Sequence, residues 1–169
     1  MSTARISLRL LVVLTVALAC APALIAADAP SERNKTTARR IFEERLTQGS
    51  IAADAELFTT DFQVHVGAVT AGLKQDQVSI QGWKAAIPDL EATVHDIVAE
   101  GDRVAVRWSA KGTNTGTGNG LPATGKPLEV GGFALFRMVD GRVAESWGMF
   151  DTMGLFRQLG LIENPLKRN

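Results

Sequence analysis

The sequence predicts one α+β domain: a curved antiparallel sheet, cone-shaped, with N-terminal helices enclosing an apolar cavity. Three observations carry this expectation. Apolar residues at helical spacing are concentrated in the first half of the chain, and the second half is long alternating strands joined by Gly-Asp and Asp-Gly turns. No internal repeat or shift in composition divides the 169 residues into two units. Helices first and antiparallel strands afterwards pack as helices on one face of a sheet, and a chain of this length buries about two-thirds of its unfolded surface.

The first 27 residues are expected to stand outside that domain. Arg5 and Arg9 precede an apolar run from Leu10 to Cys20, and mostly small residues follow through Ala27. This is the charged, apolar and small-residue order of a secretory signal, with cleavage after Ala23, Ala26 or Ala27 all open. The expected location is therefore periplasmic or secreted. Lipidation at Cys20 is kept as an alternative, although the aliphatic Leu18 stands one place away from where a lipoprotein signal needs it. Pro22 interrupts a run barely long enough to span a bilayer. If Cys20 leaves with the signal, no cysteine remains.

Residues 28–33 read as a short polar linker to a domain over 34–162, with 163–169 as a tail. A helix fits 34–48, where Ala38, Ile41, Phe42 and Leu46 recur at helical spacing and Gly49 stops it. A shorter helical piece runs from Ile51 to Phe58. Phe62 to Val66 alternates like a strand, with Gln63 and His65 opposite the apolar face. Lys74 to Ile87 is the next helix, closed by Pro88. Ala92–Glu100 and Arg103–Thr113 flank the Gly101-Asp102 turn, and Leu128–Val139 and Arg142–Phe150 flank Asp140-Gly141. Asn114 to Pro127 is a Gly/Thr/Pro-rich loop, and Thr152–Leu159 is a last helix ending at Gly160.

Composition removes several functions. Eighteen basic residues balance eighteen acidic ones with no basic block, so nucleic acid is not an expected partner. The glycines of 112–125 form no phosphate loop, and no serine sits in a G-x-S-x-G elbow. His65 and His95 are too far apart, with no cysteine near, to suggest a metal site. Arg107 shares a strand face with Arg103 and Lys111, which reads as a solvated face.

The segment Glu145-Ser-Trp-Gly-Met-Phe-Asp151 carries the most chemistry. Strict alternation puts Val143, Glu145, Trp147, Met149 and Asp151 on one face, and its bulk suggests that this face lines the cavity. A carboxylate among large apolar side chains is poorly solvated, which raises its pKa towards the range useful for proton transfer. Glu145, about 20 Å away along the strand, cannot pair with it. Asp151 also fits as the N-cap of helix 152–159, and spacing alone favours that structural role.

The order of elements resembles a known family. With Pro88-Asp-Leu, Ala99-Glu-Gly-Asp-Arg-Val-Ala-Val-Arg-Trp108, Gly112-Thr-Asn-Thr-Gly116, Pro122-Ala-Thr-Gly125, Phe136-Arg-Met-Val-Asp-Gly141 and Glu145-Ser-Trp147…Asp151…Gln158-Leu-Gly160, the chain is similar to SnoaL-like polyketide (ester) cyclases. These belong to the nuclear transport factor 2-like superfamily. The resemblance implies one acidic residue on the last strand as general acid/base in an intramolecular aldol ring closure, at the position of Asp151. It favours a cavity-facing Asp151, and it implies His65 as pocket-lining. The full expected lining is His65, Trp83, Trp108, Phe133, Trp147 and Met149, with no cofactor and no metal. The expected function is that of a cofactor-independent cyclase, or a related lyase or isomerase, on a hydrophobic carbonyl compound; a non-catalytic exported binding protein is the alternative. The resemblance also implies a homodimer. A ketosteroid-isomerase-like reading is weakened by the absence of tyrosine. An epoxide-hydrolase-like reading needs an Asp–Arg–Asp relay, for which the sequence offers no convincing second aspartate.

Overall fold

The computed structural model describes residues 29–163. The expected signal over 1–27, Cys20 and most of the tail lie outside the described residues. Residues 29–40 are helical and run on into a π-helical stretch, Ile41–Thr47, so α1 spans 29–47. Residues 29–33, expected as linker, are thus the first turns of this helix. Glu32 explains the extension: its carboxylate accepts from Lys35 Nζ (2.7 Å) and its carbonyl from Thr36 Oγ1 (2.9 Å). Gly49, at φ +70°, ends the element where the sequence expected a stop.

A single turn, α2 (Asp54–Leu57), leads into β1 (Phe58–Val66) and β2 (Val69–Gly72). β1 begins four residues earlier than its alternation showed, and β2 has no clear alternation of its own. Helix α3 (Leu73–Ala86) then crosses to the long strands β3 (Glu91–Glu100), β4 (Arg103–Thr113), β5 (Pro127–Val139) and β6 (Arg142–Phe150), and α4 (Thr152–Leu159) follows. Strand order is β2-β1-β6-β5-β4-β3. The sheet is mixed rather than wholly antiparallel, because β1 pairs with β6 in parallel and every other pairing is antiparallel.

The alternation of β6 is broken by one residue. Arg137 faces Glu145 and Met138 faces Val143, so Ala144 is the extra residue of a β-bulge. A bulge inserts one residue without a partner and inverts the side-chain alternation beyond it. Val143 points inwards, and after the bulge the inward residues are Ser146, Gly148 and Phe150.

Two groups of buried side chains hold the sheet to the helices. Phe42, Leu57, Phe58, Phe62, Val104, Val106, Phe136 and Val143 form one, under α1 and α2. Ile87, Leu90, Ala110, Leu121, Leu128, Val130, Leu155 and Leu159 form the other, under α3 and α4. Leu46, Ala92 and Trp108 pack against both. The loop after β4 is pinned by the wholly buried Asn114. Its side-chain N–H groups donate to the carbonyls of Ala86 and Gly116 (both 3.0 Å), and its Oδ1 accepts from Thr124 N–H (3.0 Å). Gly116 and Gly118 lie directly on the α3 backbone, where a Cβ would collide with the carbonyl oxygens of Ala85 and Gly82. These two glycines are close-packing residues, whereas Gly120 and Gly125 of the same loop have open space around them and positive φ angles (77° and 70°).

Candidate active site

A cavity of two adjoining lobes, of about 160 and 200 Å³, lies between the helices and the concave face of the sheet. Leu46, Val66, Ile80, Trp108 and Phe150 are common to both lobes. The room comes from small residues on the inward face of β5 and β6: Ala134, Ser146 and Gly148 line it. A Cβ added at Gly148 meets nothing within 4 Å. Trp83 and Trp108 line the cavity as the sequence expected, and each packs on Phe150, with ring centres 5.8 and 6.4 Å away.

The lining is apolar except for four residues: Arg45, Asp76, Ser79 and Ser146. Arg45 projects from the π-helical stretch of α1 and its side chain is 3% exposed. Its Nε lies 2.6 Å from Oδ1 of Asp54, whose side chain is 4% exposed, and its Nη2 donates to Asp54 Oδ2 (3.3 Å). Gln77 Nε2 donates to the same Oδ2 (2.9 Å). The other arm of the guanidinium, Nη1, donates to Asp76 Oδ2 (2.7 Å), and the guanidinium carbon sits 4.6 Å from the centre of the Phe58 ring. Asp76 Oδ1 has no hydrogen-bond partner among the described residues, and Asp76 belongs to the wall of both lobes. The arrangement is an Asp54–Arg45–Asp76 cluster with one net negative charge, which corrects the expectation that no second aspartate completes such a relay.

A sequence signal for Arg45 exists. It lies three residues after Phe42 and seven after Ala38, on the apolar stripe of its helix, and a charge on a buried stripe must be paired. Asp76 is disguised by the preference of helix first turns for acidic residues. Asp54 gives no local signal.

Several expected site residues lie elsewhere. Asp151 is exposed and caps α4: its Oδ1 accepts from Gly154 N–H (2.7 Å). It is absent from the cavity wall, so the structural role favoured by spacing is the one the fold shows. Trp147, Phe133 and His65 are on the outer, convex face: the bulge at Ala144 reverses the alternation that would have turned Trp147 inwards, Phe133 lies in register with the exposed Arg107 and Met149, and His65 lies in register with Trp147. Met149 touches one lobe at its mouth but is 79% exposed. His65 stacks on Trp147 (ring centres 5.1 Å, 13° between planes), and its Nδ1 meets Thr70 Oγ1 at 3.0 Å. Its Nε2 lies 3.5 Å from Glu145. Arg137 donates to Glu145 (2.8 Å) and, with the smaller influence of His65, holds that carboxyl below the usual carboxylate range. His95 binds only Ser109 (2.8 Å), and Arg107 pairs with Asp96 on the exposed face. Among the described residues no three His, Cys, Asp or Glu side chains gather as a metal site.

An α+β cone with an apolar cavity on the concave face of its sheet is consistent with the nuclear transport factor 2-like superfamily. Residues 36–159 match the SnoaL-like polyketide cyclase family, and the chain belongs to it. Among solved structures it is similar to IdmH of Streptomyces antibioticus, assigned as a polyketide cyclase (31% identity, 78% of this chain and 99% of that one, TM-score 0.65). It is similar also to TsrD of Streptomyces laurentii (27%, 76% and 98%, TM-score 0.67). AclR of Streptomyces galilaeus, assigned as a hydroxylase, shares the fold (24%, 80% and 89%, TM-score 0.71). No curated protein sequence matches the chain.

Proposed function

We propose that the protein is an exported, cofactor-independent cyclase or isomerase that takes a small hydrophobic carbonyl compound into the cone and moves a proton on it. One observation carries this reading: an apolar cavity whose wall, among the described residues, holds one carboxylate, Asp76, and two serine hydroxyls, Ser79 and Ser146. A carbon acid flanked by carbonyls is already activated, so one carboxylate and a dry, shaping pocket suffice for ring closure. Family membership and the similarity to a protein assigned as a polyketide cyclase support the same class. Export rests on Arg5, Arg9 and the apolar run through Cys20.

Gly148→Leu tests the reading, since its side chain would fill one lobe from a strand position with open space around it. Ligand extracted from the purified protein and identified by mass spectrometry is expected to be missing from this variant. Recovery of the same ligand in the same amount from a folded Gly148→Leu protein contradicts the cavity as the site.

A second copy of the chain is the proposed partner of the outer face. Val98, Phe133, Leu135 and Met149 are exposed there, with Phe133 at 64%. Across the strands Val98, Ala105, Leu135, Trp147 and His65 share a row, beside a row of Glu100, Arg103, Arg137 and Glu145. Exposed apolar side chains gathered on one face suit an interaction surface, and a row carrying both signs of charge can be complementary to itself across a two-fold axis.

A second catalytic reading, opening of an epoxide by water, is favoured by the Asp54–Arg45–Asp76 cluster. It predicts a diol from an apolar epoxide such as styrene oxide, a product that proton transfer on a ketone does not give.

A further inference from the structure

We propose that Asp76 is the acid/base group of this cavity, that Arg45 and Asp54 are its positioning residues, and that the cluster restricts the substrate to uncharged molecules. The inference rests on the proton-transfer reading above and deepens it. Three features of the cluster lead here.

The first is geometry. Asp76 Oδ2 is fixed by Arg45 Nη1, while Oδ1 is left without a protein partner on a carboxylate that walls both lobes. Anchoring one oxygen orients the other, and a base must be aimed before its strength matters. The second is the depth of the anchor. Arg45 and Asp54 are almost wholly buried, and Asp54 is itself held by Gln77. The guanidinium is therefore set from behind, with Asp54 across Nε and Nη2, so that Nη1 can point only towards Asp76.

The third is charge. Among the described residues Arg45 is the sole cation on the cavity wall, and it already serves two carboxylates. It is thus not an anion receptor. A substrate carboxylate or phosphate entering the lobe would meet a net negative cluster in an apolar surround, where repulsion is poorly screened. A neutral ketone meets no such barrier.

The step balances without a cofactor. Asp76 Oδ1 takes a proton from the carbon beside the substrate carbonyl; the C–H bond breaks, an O–H bond forms, and the electron pair delocalises as an enolate. The enolate carbon attacks a second carbonyl carbon of the same molecule, forming the C–C bond. The resulting alkoxide takes the proton back from Asp76, which restores the carboxylate. Ser79 and Ser146 are the hydroxyls on the wall able to donate to an oxyanion.

The first half of that step can be tested with a model ketone. 2-Tetralone is incubated with the protein in D₂O, its α-proton exchange followed by ¹H NMR, and its binding followed by tryptophan fluorescence. Naphthalene-2-carboxylate serves as the anionic probe of similar size. The native protein is expected to bind the ketone, exchange its α-protons, and bind the anion at least tenfold more weakly. Asp76→Asn is expected to lower the exchange kcat by about a hundredfold or more with KM little changed, and to strengthen anion binding. Asp76→Glu, which keeps the charge and moves it by one methylene, is expected to fold and to exchange at an intermediate rate. Asp54→Asn is expected to lower kcat per folded molecule about tenfold at unchanged KM, a split that mere loss of stability would not give. Asp151→Asn is expected to exchange as the native protein does.

Exchange that survives Asp76→Asn, or that is lost in Asp151→Asn, overturns the inference and leaves the proton-transfer reading standing. Binding of the ketone with no exchange by the native protein overturns both. Equal affinity for ketone and anion overturns the charge restriction.

Discussion

The concave and convex faces of the one sheet both carry apolar side chains and use them differently. On the concave side small residues stand where bulk would be expected, and the room left by Ala134, Ser146 and Gly148 becomes the cavity. On the convex side Phe133, Leu135, Trp147 and Met149 occupy the neighbouring positions of the same two strands. The ionic groups differ in the same way. In the inner cluster Asp54 and Arg45 are almost wholly buried and Asp76 mostly so, whereas the outer pairs Arg107–Asp96 and Lys111–Glu91 are half or more exposed. Exposed pairs contribute little, about 0–1 kcal/mol each, while breaking a buried pair strands a charge and is costly. The side with empty volume is the side suited to chemistry, and the side with bulk is the side suited to a partner.

The largest expected effect breaks the inner side. Arg45→Ala leaves Asp54 and Asp76 facing each other without their cation, and it is expected to lower the unfolding free energy by about 3–5 kcal/mol. Urea denaturation measures this; a loss below about 1 kcal/mol shows that the cluster is not the buried one described. The next acts on the outer side. Trp147→Arg places a second cation beside Arg103, whose guanidinium lies 5.6 Å from the Trp147 ring. It is expected to weaken self-association by about 2 kcal/mol, the scale of a buried aromatic anchor, while cavity ligand affinity stays the same. Sedimentation velocity reads the first and fluorescence titration the second; a dimer unmoved by the change puts the partner elsewhere. The smallest separates capping from chemistry. Asp151→Ala removes the acceptor for Gly154 N–H and is expected to cost about 1 kcal/mol in thermal unfolding, whereas Asp151→Asn keeps a capping side chain and is close to neutral.

The contrast between the faces also explains what the sequence could and could not show. Element order, both long hairpins and the loop after β4 follow from local signals: Asp140 and Gly141 adopt the positive φ angles of 51° and 79° that their turn requires. Trp108 follows the clean alternation of β4, in which Val104, Val106 and Ala110 are buried on the same face, whereas α3 around Trp83 carries only a weak apolar stripe. Trp147 and Asp151 are not legible from alternation, because one bulged residue, Ala144, inverts β6 and no local pattern announces it. Bulk was also a misleading guide, since a cavity is lined where side chains are small. The parallel pairing of β1 with β6 and the meeting of Arg45 with Asp54 and Asp76 are non-local, nine and thirty-one residues apart for the two ion pairs. Only the burial of a charge on the α1 stripe hinted at the cluster.

The three tryptophans report on the two faces directly. Trp83 and Trp108 line the cavity, and Trp147 lies on the convex side against His65. Their indole N–H signals, assigned through single Trp→Phe variants, can be followed by ¹H–¹⁵N NMR while 2-tetralone is added. The account predicts that the Trp83 and Trp108 signals move with saturation and that of Trp147 stays in place. Movement of Trp147 alone, with Trp83 and Trp108 unchanged, would contradict it.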